Sequence, residues 1–115
     1  MSAYAVAIIH ETRFGPAIRE YLAHIDETLH PYAGKFRIHG GPYYSMEGEW
    51  SGDLVLIEFP SMVEANGWYN SLAYEAIKPL RTNNTEGVVL LVPGVPDSHK
   101  AIDILTPAAV KNDGF

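Results

Sequence analysis

Three segments of the chain are apolar at consecutive positions, which is the pattern of strands buried on both faces. The first covers residues 4–9, rich in alanine and β-branched residues, and ends at polar His10. The second is GDLVLIEFPS, residues 52–61, and the third covers residues 88–92. We therefore predict three strands that present apolar side chains to both sides of a sheet.

A fourth segment repeats its apolar residues every three or four positions, as the buried face of an amphipathic helix does. Pro16 suits the first turn of this helix, and Pro31 and Gly34 end it. The apolar positions are Ile18, Tyr21, Leu22, Ile25, Leu29 and Tyr32.

A second helical segment begins at Ser61-Met62-Val63-Glu64, which has the form of a capping box. The helix is predicted to pause at Asn70-Ser71, where these residues cap a new start. It resumes over residues 72–81 with apolar side chains at helical spacing.

Residues 35–39 alternate polar and apolar side chains before Gly40-Gly41-Pro42, so we predict a short edge strand with one solvated face. The resulting order is strand, helix, strand, strand, helix, strand. This is the α+β ferredoxin-like βαββαβ sandwich, a four-stranded antiparallel sheet in the spatial order 4-1-3-2 with both helices on one face. We expect this domain to span residues 1–95 and residues 96–115 to form a C-terminal tail.

Two helices cover only one face of such a sheet, although the central strands are apolar on both faces. A bare apolar face of several hundred Å² is seldom tolerated by a monomer. We therefore predict a homodimer that pairs two sheets as a dimeric α+β barrel. The alternative is that residues 95–115 fold back over their own sheet; the same tail would also be able to wrap the partner.

Composition narrows the classes of partner. With 115 residues, 47% of them hydrophobic and 19% charged, the chain suits one compact domain. The net charge of −6 disfavours nucleic acid and anionic membranes, and the absence of cysteine excludes disulfides and thiolate chemistry. The N-terminus lacks a basic leader and no apolar run approaches membrane-spanning length, so we expect a soluble cytoplasmic protein.

Several motifs resemble the family known as domain of unknown function 1330. They are KFRIHGG (35–41), MEGEW (46–50), IEFPS (57–61) and WYNSLAYEAIKPLR (68–81). The resemblance covers about residues 4–94 and implies a dimeric ferredoxin-like α+β barrel, similar in build to antibiotic-biosynthesis monooxygenases. It does not imply a reaction, because one fold supports many activities.

The candidate catalytic residues are ionisable groups at strand positions. Glu58 lies within an apolar strand, so it is either a pocket acid or base, or a structural partner of Arg81 or Lys35. His10 and His39 lie at the C-terminal ends of the first and second strands, which the order 4-1-3-2 places at the same end of the sheet, with Asp53 near them. They either shuttle protons or line a polar rim. Arg81 completes the catalytic candidates.

The candidate ligand-binding residues combine aromatic area with amide hydrogen bonding. They are Trp68, Tyr69, Asn70, Tyr74 and Trp50. For Trp68 and Tyr74 the alternative is core packing. No metal-ligand spacing, phosphate loop or nucleophile motif is present, so we expect neither a metal nor a cofactor.

These features favour a homodimeric, cofactor-independent enzyme or ligand-binding protein that holds a small organic molecule in a cleft between sheet and helices. The alternative is a non-catalytic dimeric module that senses a metabolite or has a structural role.

Overall fold

A computed structural model describes residues 1–105 of the chain. Its four strands form one antiparallel sheet in the order β2-β3-β1-β4. This order confirms the predicted ferredoxin-like topology. The elements are β1 (Ala3–Thr12), α1 (Pro16–Leu29), a 3-10 turn (His30–Tyr32), β2 (Lys35–His39), β3 (Asp53–Phe59), α2 (Met62–Tyr69), α3 (Leu72–Thr82), β4 (Thr85–Pro93) and a 3-10 helix (Ala101–Leu105).

Serine side chains begin both helices of the second helical segment, as the sequence predicts. The Ser61 hydroxyl accepts a hydrogen bond from Val63 N (3.2 Å) and donates one to the Glu64 carboxylate. At the pause between α2 and α3, the Ser71 hydroxyl accepts from Tyr74 N (3.2 Å) and donates to Trp68 O (2.7 Å). Ser71 therefore closes one helix and opens the next, which lets the chain change direction while the backbone groups stay paired.

The core lies between the sheet and the helices. β1 contributes small side chains, β3 contributes Ile57 and Phe59, and the helices contribute most of the aromatic area. Trp68 donates from its indole Nε1 to Thr28 Oγ1 (2.9 Å), so the polar atom of this buried ring is satisfied. The buried cluster consists of Ala3, Ala5, Tyr21, Ile25, Leu29, Ile57, Phe59, Ala65, Trp68, Tyr74 and Ile77.

The side of the sheet turned away from the helices, here called the open face, is apolar on all four strands. Facing pairs such as Val6 with Leu56 and Ile8 with Val88 place these side chains next to each other. Its apolar members are Val6, Ile8, Ile38, Leu54, Leu56, Val88, Leu90 and Val92. Four of them, Ile38, Val88, Leu90 and Val92, remain 38% to 48% exposed.

The described part of the C-terminal tail does not remove this exposure. Gly94 N, just before the tail, donates to Ser2 O (2.8 Å), and a 3-10 helix follows at Ala101–Leu105. With this part of the tail present, Val88, Leu90 and Val92 of β4 stay exposed. Residues 106–115 lie outside the described residues, so wrapping of a partner by residues 96–115 stays a prediction.

A β-bulge changes the simple alternation of β2. Phe36 pairs with Ile57 and Ile38 pairs with Leu56, so Arg37 is the extra residue between them. Ile38 consequently lies on the open face. Phe36 and His39 both lie on the helix side, with their rings stacked 4.6 Å apart between centroids.

Candidate functional site

A cleft of about 290 Å³ lies between the helix side of the sheet and helices α1 and α3. Its base is deeply buried, because Trp68 and Tyr74 are each only 2% exposed. Its mouth is open, because Phe14 on its rim is 79% exposed. The walls include Ala5, Ala7, Ile9, Ile18, Tyr21, Leu22, Ile25, Val55, Ile57 and Arg81.

Alanine on β1 creates the space. β1 alternates its side chains, so Ala5, Ala7 and Ile9 share the helix side, while Val6 and Ile8 lie on the open face. A central strand normally fills this layer with branched side chains, which interdigitate with the helices at close-packed density. Two methyl groups in place of larger side chains leave a cavity that the helices do not close.

Three side chains form a polar group on the otherwise apolar wall. The hydroxyls of Tyr21 and Tyr74 lie 2.8 Å apart and share a hydrogen bond. Arg81 donates from Nε to the Tyr74 hydroxyl at 3.3 Å. All three residues line the cleft, so α1 and α3 bring a guanidinium and two phenolic hydroxyls to one place.

The surroundings of Tyr21 and Arg81 set the pKa values of these two side chains. Burial raises the pKa of Tyr21, and the adjacent Tyr74 raises it further, so Tyr21 is a neutral hydrogen-bond donor at physiological pH. Burial by itself disfavours the charged form of Arg81, but the electrostatic and hydrogen-bond contributions of the two tyrosines leave the pKa of Arg81 raised. The guanidinium of Arg81 therefore stays charged.

His39 and Asp53 line the cleft nearer its mouth. Asp53 accepts a hydrogen bond from the Tyr43 hydroxyl (3.3 Å), which itself accepts one from Leu54 N (2.8 Å). Asp53 is thereby held in place by the segment between β2 and β3. Of the predicted cluster of His10, His39 and Asp53, His39 and Asp53 line this cleft and His10 does not.

Glu58 lies on the other side of the sheet. Its neighbours Ile57 and Phe59 face the helices, so its own side chain points to the open face. There Arg37 Nε donates to the carboxylate at 2.8 Å, and Ser2 Oγ also donates to it. The expected salt bridge from Glu58 to Arg81 or Lys35 is therefore wrong: the described residues place it with Arg37, although Lys35 is the register partner of Glu58.

Four other predicted site residues lie outside the cleft lining. His10 is exposed at the irregularity in the pairing of β1 with β4. Tyr69 packs against Tyr74 with ring centroids 5.5 Å apart, and Lys78 Nζ lies 4.3 Å from its ring centroid. Asn70 ends α2 and donates to Asn66 O (2.9 Å). Trp50 packs on Tyr43 at 5.6 Å between centroids.

Of the predicted residues, His39, Arg81, Trp68 and Tyr74 share the cleft. The sequence reasoning missed Tyr21 and the β1 alanines. The helical spacing predicts only that Tyr21 lies on the buried face of the helix, although a buried tyrosine needs a hydrogen-bond partner for its hydroxyl. The signal for the cavity was the run of alternate alanines at positions 3, 5 and 7.

Within residues 1–105, no three His, Asp or Glu side chains come together as a set that would hold a metal ion. In the same part of the chain, no helix has the length and apolar character needed to cross a membrane.

The sheet order and the helices packed on one face define an α+β protein with the ferredoxin-like fold. Residues 2–95 match the family described as domain of unknown function (DUF1330), and the chain belongs to this family. No match was found among curated proteins.

Solved structures share the fold at low sequence identity. A protein of unknown function from Rhodopseudomonas palustris is 12% identical over 83% of this chain and 83% of its own, with a TM-score of 0.62. A dimeric ferredoxin-like protein of unknown function from Jannaschia sp. is 14% identical over 84% of this chain and 100% of its own, with a TM-score of 0.63. An antibiotic biosynthesis monooxygenase aligns with a TM-score of 0.46 and 17% identity, over 84% of this chain and 100% of its own, which supports no inference about activity.

Proposed function

We propose that the protein binds a small, largely apolar organic molecule in the cleft of each protomer, as a homodimer and without a resident cofactor. The observation that carries this proposal is the open cleft of about 290 Å³. It has an aromatic base and, on its wall, the polar side chains of Tyr21, Tyr74 and Arg81. Ligand sites are typically concave and mostly apolar, with a few polar groups that fix orientation. A purely structural role would be better served by a filled core, because a cavity lowers stability.

The homodimer is supported by the open face. Its apolar side chains on β2 and β4 are still substantially exposed in the single chain, as they would be at an interface awaiting a partner. The Jannaschia protein, which shares the fold, is described as dimeric. Two copies joined through their open faces leave both clefts accessible, because each cleft lies on the opposite side of its sheet.

Catalysis is the second candidate. It is favoured by His39 and Asp53, which place two ionisable groups near the mouth of the same cleft. A histidine changes its charge near neutral pH and is suited to proton transfer. A protein that only binds its ligand does not need a proton-transfer group. Chemical conversion of a bound compound therefore distinguishes an enzyme from a carrier, and its loss in His39→Ala would assign the proton transfer to His39.

The experiment that tests binding fills the cleft. Ala7→Phe places a ring in the cavity and is expected to abolish the thermal stabilisation that compounds from a library of small organic molecules give to the wild type. Ala76→Phe adds the same ring to an exposed position of α3 and is the matched control. The proposal fails if compounds stabilise Ala7→Phe as much as they stabilise the wild type and Ala76→Phe.

Conversion is measured on the compounds that bind. Each is incubated with protein and its composition is followed by NMR, in the wild type, His39→Ala and Glu58→Gln. Glu58 lies on the open face, so its replacement is expected to leave conversion unchanged, whereas His39→Ala removes it. Compounds that bind but stay chemically unchanged in the wild type remove catalysis and leave binding.

A further inference from the structure

Among the residues that the structure describes, no acid balances the charge of Arg81. Within residues 1–105, no Asp or Glu oxygen lies within 4 Å of its guanidinium, although the chain carries a net charge of −6. Its side-chain neighbours are the hydroxyls of Tyr21 and Tyr74. A partly buried cation without a counter-ion is costly unless a bound anion completes the site.

The hydrogen bonds around Arg81 also leave donors free. Tyr21 and Tyr74 share one hydrogen bond, which uses one phenolic proton and leaves the other available. Arg81 uses Nε on the Tyr74 hydroxyl, and its two terminal amino groups retain donors. The group thus offers several N–H and O–H donors at one place, which matches the acceptor-only oxygens of a carboxylate.

The volume of the cleft limits the size of the ligand beyond its carboxylate. A cavity of about 150 Å³ is enough to hold benzene, so about 290 Å³ leaves room for one ring and a short acid-bearing chain. The base of the cleft is lined by apolar side chains, among them Ala5, Ala7, Ile25 and Trp68. The base therefore accepts a ring or a compact alkyl group, and the polar side chains of His39 and Asp53 lie nearer the mouth.

We infer that the natural ligand of the cleft is a small organic carboxylate whose carboxylate binds Arg81 and the Tyr21–Tyr74 hydroxyl pair and whose ring or alkyl group fills the base. This inference rests on the proposed function, because it names the chemical class that the cleft binds. The carboxylate enters with its apolar end toward Trp68, so the indole of Trp68 reports on binding.

The test uses compounds of the same shape and different charge. The probes are 3-phenylpropanoate, the neutral 3-phenylpropanol and the cationic 3-phenylpropylammonium. Binding is followed by the fluorescence of Trp68 in a Trp50→Phe background, where it is the only tryptophan. We expect the carboxylate to bind at least about tenfold more tightly than the alcohol, because hydrogen bonds to charged groups are stronger than neutral ones, and the cation to bind least.

Variants at Arg81 test whether its guanidinium causes the preference for the carboxylate over the alcohol. Arg81→Met is expected to bring the carboxylate and the alcohol to within about threefold of each other, and Arg81→Lys to retain part of the preference, since lysine keeps the charge and loses the planar fork. Arg19→Met removes an exposed arginine of α1 that does not line the cleft, and is expected to leave the preference unchanged. Circular dichroism of each variant checks that it is folded.

The outcomes separate the inference from the proposed function. Equal affinity for carboxylate and alcohol in the wild type, or a preference that survives in Arg81→Met, overturns the carboxylate inference while binding in the cleft stands. No binding of any of the three probes also overturns the carboxylate inference alone. Ligand binding that is undisturbed by Ala7→Phe contradicts the proposed function and removes the inference with it.

Discussion

The dimer interface is tested at Leu90, which lies on β4 opposite Val6 and is 48% exposed. Full burial of a leucine side chain contributes about 1.5 to 3 kcal/mol, so the half that is still exposed corresponds to about 1 kcal/mol. A symmetric dimer contains this contact twice. Leu90→Ala is therefore expected to weaken the dimer by about 2 kcal/mol, which raises the dissociation constant roughly thirtyfold.

Sedimentation equilibrium measures this constant directly. Leu72→Ala is the matched control, because Leu72 is 90% exposed at the start of α3 and lies outside the open face. Leu90→Asp goes further, since it would bury a carboxylate in an apolar interface, and is expected to give single subunits at micromolar concentration. A wild type that sediments as one subunit, or a Leu90→Ala variant indistinguishable from Leu72→Ala, refutes the interface.

Three further predictions concern stability. Ala33 has a left-handed backbone (φ 55°), a conformation that costs an alanine about 1 kcal/mol more than a glycine. Ala33→Gly should therefore raise the melting temperature by a few degrees in calorimetry, and a lower melting temperature would contradict the backbone strain. Phe59 is fully buried, so Phe59→Ala should cost about 3 to 5 kcal/mol in urea unfolding, whereas a loss below about 1 kcal/mol would mean that the core is misplaced. Ser2 and then Arg37 lower the pKa of Glu58, so its stabilising effect is full above the ordinary value of 4.5 and is lost as pH falls through the lowered value. The difference in stability between wild type and Glu58→Gln should therefore be constant near neutral pH and shrink below about pH 4.5; a difference that grows with acid contradicts the assignment.

The order of strands and helices was predictable because residues close together in the sequence determine where each element begins and ends. The break between α2 and α3 is one example, since Ser71 supplies both a closing donor and an opening acceptor within one residue. The sheet order 4-1-3-2 then followed from the element order strand, helix, strand, strand, helix, strand, which is that of the ferredoxin-like sandwich. Neither step required knowledge of contacts between distant side chains.

The candidate site was less predictable because it depends on which face each side chain occupies. Glu58 stood out as an acid in an apolar strand, but its neighbours Ile57 and Phe59 are as apolar as Leu54 and Leu56 on the open face. Sequence alone did not tell the two faces apart. The bulge at Arg37 had a similar effect in β2, where it places Ile38 on the open face and His39 on the cleft side.

In β1 the two faces differ in size of side chain, and the sequence displays this difference. Toward the helices it carries Ala5 and Ala7, and toward the open face it carries Val6 and Ile8. Small side chains on one face leave room for a ligand, and large ones on the other supply apolar area for a partner. Because successive side chains of a strand alternate, one segment of four residues serves both proposed surfaces. A substitution at Ala7 should therefore change ligand binding without changing dimerisation, and one at Val6 should do the reverse.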